Sequence, residues 1–120
     1  MELEELYKEV GGNFEDVKRR LFNEDFIKKF VLKFKDDDTY HHLIDTFNQG
    51  EYKEAFRYIH TLKGTSVNLG FEDLYQASCN LTECLRDKDS LNDDELKKAQ
   101  SLLEMVSKDY QKVIDLIDQI

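Results

Sequence analysis

Apolar positions recur at steps of three and four along nearly the whole chain, the period of helices that each bury one face. Leu3, Leu6 and Val10 make a short set closed by Gly11-Gly12. Asn13 is placed to cap a helix carrying Phe14, Val17 and Leu21, and Asn23 or Asp25 can open the next. Phe26, Ile27, Phe30, Val31 and Phe34 are expected on one face there, with the phenylalanine stripe in the core. Asp36-Asp37-Asp38 breaks the pattern ahead of Tyr40, Leu43, Ile44 and Phe47, and Gly50 ends that helix. A helix from about Glu51 to Leu69 follows, then Gly70, then one with Leu74, Ala77, Ser78, Leu81 and Leu85. Past the polar loop from Asp87 to Asn92, the residues Leu96, Ala99, Leu103, Val106, Tyr110, Val113, Ile117 and Ile120 trace the seam of a packed bundle. No segment alternates as a strand would, and the chain has no proline to interrupt its helices. The expected fold is all-α: an antiparallel four-helix bundle with additional short N-terminal helices, one domain over residues 1–120.

Composition narrows the partners. A chain of 120 residues, 40% hydrophobic and 36% charged, suits one soluble folded domain. Its formal charge of -9 repels phosphate backbones and anionic lipid, so neither nucleic acid nor membrane is expected. No apolar run approaches the roughly 18 residues that span a bilayer, and the acidic start Met1-Glu2-Leu3-Glu4-Glu5 lacks the features of a secretory signal. Cys79 and Cys84, five residues apart on an expected helix, point in different directions as packing residues, which suits a reducing cytoplasm.

The helix after Gly50 carries two opposed faces. Each helical residue turns the chain by about 100°, so Ala55, Tyr58, Leu62 and Leu69 fall within about 40° of the side opposite His60, flanked by Ile59 and Ser66. His60 therefore points away from the packed side. Lys63 and Gly64 lie three and four residues on, Val67 two turns on, and Phe56 and Lys53 one and two turns back, with Arg57 on the same flank. A glycine inside a helix costs about 1 kcal/mol relative to alanine. Gly64 is either a product of random drift, or admits a second helix at close range, or leaves His60 open to something bulky.

A neutral imidazole nitrogen is a nucleophile, and a phosphoryl group placed on it needs a nearby cation, which Lys63 can supply. That lysine also disfavours the protonated ring. Phe56 and Val67 offer a partner apolar surface to bury. On residue chemistry alone, an ordinary helix surface presents the same histidine beside a lysine, and both readings stand. His41 and His42 are consecutive, so they do not converge on one ion, and the Asp87-Lys88-Asp89 stretch fails as a calcium loop at Leu91, Asn92 and Lys98. No metal site is expected.

The string His60-Thr61-Leu62-Lys63-Gly64-Thr65-Ser66-Val67-Asn68-Leu69-Gly70 resembles the H-x-L-K-G signature of histidine-containing phosphotransfer (HPt) domains, and Gly50-Glu51-Tyr52 is similar to the short turn that precedes it. The resemblance extends from about Asn13 to the C-terminus. It implies a four-helix bundle whose exposed histidine shuttles a phosphoryl group between receiver-domain aspartates in a multistep phosphorelay. His60 would be the acceptor, Lys63 would steady the phosphoryl group, and Gly64 would keep the approach open, with Leu62, Leu69 and Gly70 structural. The family often places Glu or Gln on the next helix facing the histidine. Alignment through Leu74 and Leu81 puts Thr82 there, with Glu83 turned about 100° away and Arg86 one turn on.

With no glycine-rich phosphate loop or kinase signature, the chain is expected to be a carrier and not an autonomous kinase. It would bind no cofactor of its own; Mg²⁺ and an acidic pocket would come from the receiver. Lys53, Arg57 and Lys63 would complement that pocket electrostatically. The expected partners are receiver domains of response regulators or hybrid histidine kinases, met by a monomer in the cytoplasm. The alternative is a helical adaptor that docks signalling proteins independently of phosphorylation.

Overall fold

The computed structural model describes residues 1–120 and consists of seven helices: α1 (Leu3–Glu9), α2 (Phe14–Leu21), α3 (Glu24–Phe34), α4 (Thr39–Asn48), α5 (Tyr52–Leu69), α6 (Glu72–Leu85) and α7 (Asp93–Ile117). Three of the starts, those of α2, α3 and α7, follow from short polar side chains. Asn13 accepts a hydrogen bond from the Asp16 amide and Asn23 one from the Phe26 amide, so each satisfies a donor that the first helical turn leaves free. Asn92 and Glu95 form a reciprocal capping box at the head of α7.

Helix α5 packs between α4 and α6, and α6 packs on α7. The shared interior takes Ala55, Ile59 and Leu62 from α5, Leu74, Leu81 and Leu85 from α6, and Ala99, Val106 and Val113 from α7. A chain of rings ties the N-terminal helices to this interior. Tyr7 stacks on Phe14 at 5.3 Å and lies 6.2 Å from Phe71, Phe34 meets Phe71 edge-on at 5.2 Å, and Tyr40 stacks on Tyr110 at 3.9 Å. Each such pair adds about 0.5–1.5 kcal/mol beyond the area it buries.

Two expectations about faces require correction. In α3 the buried set is Ile27, Val31 and Phe34, while Phe26 and Phe30 stand 49% and 42% exposed. Five apolar residues spread over too wide an arc for one helix to bury all of them against neighbours on a single side. In α5 the buried set is Ala55, Ile59, Leu62, Ser66 and Leu69. Tyr58 is only half-buried and lies against the His42 ring at 5.1 Å, so the packed stripe is rotated slightly toward Ile59.

The C-terminal end of α5 is tied down by several groups from outside the helix. Gly70 adopts φ +78°, and the amides of Phe71 and Gly70 donate to Ser66 O and Val67 O, a paired turn that requires this left-handed residue. The Tyr7 hydroxyl donates to Leu69 O at 2.6 Å from a buried position, and the Arg20 guanidinium donates to Val67 O and Asn68 O. The Asp73 amide at the start of α6 donates to Val10 O, closing the same corner against α1. These anchors fix the axis of α5 and with it the direction of every side chain on its outer face.

Candidate functional site

His60 lies in the middle of α5 on the side away from Ala55, Ile59 and Leu62, and it is exposed. The local cause is the pattern itself: the buried positions of α5 follow steps of three and four, and residue 60 falls outside them. Its one ring neighbour is Phe56, 5.9 Å away and tilted by 41°. Beside it the Thr61 hydroxyl donates back to Arg57 O, and the imidazole itself has no hydrogen-bond partner within the chain. Neither ring nitrogen is thus engaged by another group of the chain.

Gly64 sits one turn beyond the ring. A Cβ built there would meet nothing within 4 Å. The close approach of a second helix, one of the readings open at this glycine, therefore does not occur in the folded chain. What remains is open space beside the imidazole.

Four cations surround this face, and they differ in how they are held. Lys53 pairs with Asp89 at 2.9 Å, Arg57 with Glu54 at 3.3 Å, and Arg86 with Glu83 at 2.9 Å. Lys63, half-buried, makes no such pair. Asp89 holds the Lys53 ammonium above its usual range. Arg86, hydrogen-bonded to Glu83, is the main cause of a carboxyl held below the usual range, with the charge of Lys63 adding to it. Exposed ion pairs contribute little to folding, so their relevance is to where these charges point before a partner arrives.

His60 shares a shallow groove of about 310 Å³ with Phe56, Arg57, Thr61 and Arg86. The Arg86 guanidinium lies over the Phe56 ring at 5.2 Å, and Phe56 is also the ring beside the imidazole. Arg86, expected only through alignment, does come to the histidine's side. Thr82 does not. It is fully buried, and its hydroxyl donates to Ser78 O at 2.6 Å within its own helix. The polar group that α6 presents at the surface near Lys63 is instead Glu83, one residue on.

Val67 is 38% exposed on the same outer face. A second cleft, of about 430 Å³, opens farther along α5, where Thr65, Asn68 and Leu69 face Phe30, Lys33 and Phe34 of α3. Thr61 lines the first groove and Thr65 the second, one helical turn apart, so the two depressions follow one another along α5. Sequence reasoning missed Phe30 as a surface residue. The available clue was the surplus of apolar positions in α3 over what one buried face needs.

The other histidines face apart. His41 is edge-on to Tyr40 at 5.6 Å, while His42 contacts Asp38 at 3.2 Å, and no three His, Cys, Asp or Glu side chains are gathered to hold a metal ion. Cys79 and Cys84 are free and half-buried. No helix is long and apolar enough to cross a membrane.

Chemically, the face around residue 60 offers an unencumbered nucleophile, one unpaired ammonium group, two apolar patches and room for an approaching molecule. In comparison with known families, the model of the Hpt domain matches residues 3–120, ten residues farther toward the N-terminus than the motif resemblance reaches. No curated protein and no solved structure matches the chain.

Proposed function

The chain belongs to the Hpt domain family, whose members transfer phosphoryl groups through histidine in phosphorelays, and from that premise we propose that His60 is the phosphoryl acceptor. The observation that carries this reading is the exposed, unbonded imidazole beside a glycine that packs against nothing. A ring nitrogen of His60 attacks the phosphorus of a receiver's aspartyl phosphate. The bond from phosphorus to the carboxylate oxygen breaks, a phosphorus–nitrogen bond forms, and the aspartate leaves as a carboxylate. Transfer onward to a second receiver runs the same exchange in reverse.

In this reading the three-residue and two-residue connections on either side of α5 support an antiparallel four-helix bundle of α4 to α7, with α1 to α3 as the additional N-terminal helices. Lys63 meets the phosphoryl oxygens as a point charge, having no carboxylate to leave first. Gly64 admits the receiver to the ring. Lys53, Arg57, Phe56 and Val67 dock it, and the exposed Phe30 extends the apolar contact along the second cleft. The receiver supplies Mg²⁺ and its acidic pocket, and the protein works as a cytoplasmic monomer, a carrier without kinase activity of its own. The buried Thr82 takes no part.

Incubation with a phosphorylated receiver tests the reading. Wild type is expected to gain acid-labile, alkali-stable label and to return it to a second, unphosphorylated receiver. A receiver that binds but never transfers label would leave the phosphorylation-independent adaptor as the function.

A further inference from the structure

Glu83 lies outside the chemistry described so far. It sits on the exposed side of α6, and both of its carboxylate oxygens are occupied by one side chain: Arg86 donates through Nε at 3.2 Å and through Nη2 at 2.9 Å. The two-point geometry fixes the guanidinium plane as well as its position. In that orientation Arg86 covers Phe56, and Phe56 is the ring next to His60. The guanidinium is therefore kept at the wall of the groove that holds the imidazole, on a long side chain, by a carboxylate that is itself solvent-exposed. An exposed pair of this kind is weak and exchanges partners readily.

A phosphoryl group on His60 changes the competition. It brings up to two negative charges and three acceptor oxygens into the groove, against one charge on Glu83. We propose that Glu83 is a positioning residue that holds Arg86 over Phe56 while His60 is free and yields it to the phosphoryl group once His60 is loaded, so that the pair governs the lifetime of the phosphohistidine. The inference rests on His60 being the phosphorylated residue, but not on any receiver delivering the group.

The direction of the effect follows from the chemistry of loss. Hydrolysis breaks the phosphorus–nitrogen bond, joins the oxygen of water to phosphorus, and leaves the ring nitrogen with a proton. A cation against the phosphoryl oxygens disfavours protonation of the departing ring and slows that step, whereas a neighbouring carboxylate favours it. Arg86 thus preserves the phosphohistidine, and Glu83 shortens its life by competing for Arg86.

The test loads His60 chemically with potassium phosphoramidate and follows phosphohistidine decay by ³¹P NMR in wild type, Glu83→Gln, Arg86→Gln and the double variant, with thermal unfolding to verify equal folding. Arg86→Gln is expected to decay roughly threefold faster than wild type and Glu83→Gln roughly twofold slower. The double variant should match Arg86→Gln, because Glu83 acts through the arginine. Glu83→Asp should retain the wild-type rate. A Glu83→Gln rate equal to wild type, or an effect of Glu83→Gln that persists without Arg86, overturns the proposal. Because phosphoramidate replaces the receiver, failure of receiver transfer alone would count against the carrier reading and not against this one.

Discussion

Gly64 within α5 and Gly70 at its C-cap lie six residues apart, and their surroundings differ. At Gly70 the backbone is left-handed, and an added Cβ would fall 2.4 Å from Val17 Cγ2 and 3.1 Å from the Tyr7 ring. Here the fold itself demands glycine, because α1 and α2 close over the end of α5 and the turn into α6 reverses within two residues. At Gly64 the backbone is ordinary helix and the space is empty. Alanine would suit the helix better there. The folded chain therefore explains one glycine completely and gives no internal reason for the other, which supports the proposal that Gly64 leaves room for an approaching receiver.

The contrast can be broken first at its packed end. Gly70→Ala combines a positive φ with an overlap against two buried neighbours and should cost about 2–4 kcal/mol, read as a lower urea midpoint. An unchanged midpoint would mean that this corner is looser than described. Tyr7→Phe at the same corner removes the donor to Leu69 O and leaves a carbonyl unpaired inside the protein, at a cost of about 1–3 kcal/mol. At the open end the sign reverses. Gly64→Ala should gain up to about 1 kcal/mol in stability while slowing phosphoryl transfer from a receiver, and a variant that loses stability would show that residue 64 is packed after all. The smallest effect concerns the interior between α5 and α6, where the hydroxyls of Ser66 and Ser78 are buried without partners. Ser66→Ala and Ser78→Ala should leave stability unchanged or raise it by less than about 1 kcal/mol.

Much of this was legible from residue spacing. The caps at Asn13 and Asn23, the breaks at Gly50 and Gly70, and the outward direction of His60 each depend on local chemistry that one segment carries by itself. The failures share another cause. Periodicity puts Phe26 and Phe30 in the core because it identifies an apolar arc without saying which part of it meets a neighbour, and that depends on where other helices lie. Thr82 was turned toward the histidine by alignment, yet α6 packs closely enough on its neighbours to bury that side chain and spend its hydroxyl on Ser78. Nor could the sequence distinguish the paired cations Lys53, Arg57 and Arg86 from the unpaired Lys63, since the Lys53 partner, Asp89, arrives from the loop after α6.

The most direct measurement locates the phosphoryl group. After exposure to a phosphorylated receiver, the protein is digested at alkaline pH and the mass of the peptide containing residue 60 is recorded for wild type and for His60→Gln. The account predicts one added phosphoryl group on that peptide in wild type and none anywhere in the variant, with both proteins equally folded. Label carried by His41, His42 or any other residue, or retained in His60→Gln, would contradict it.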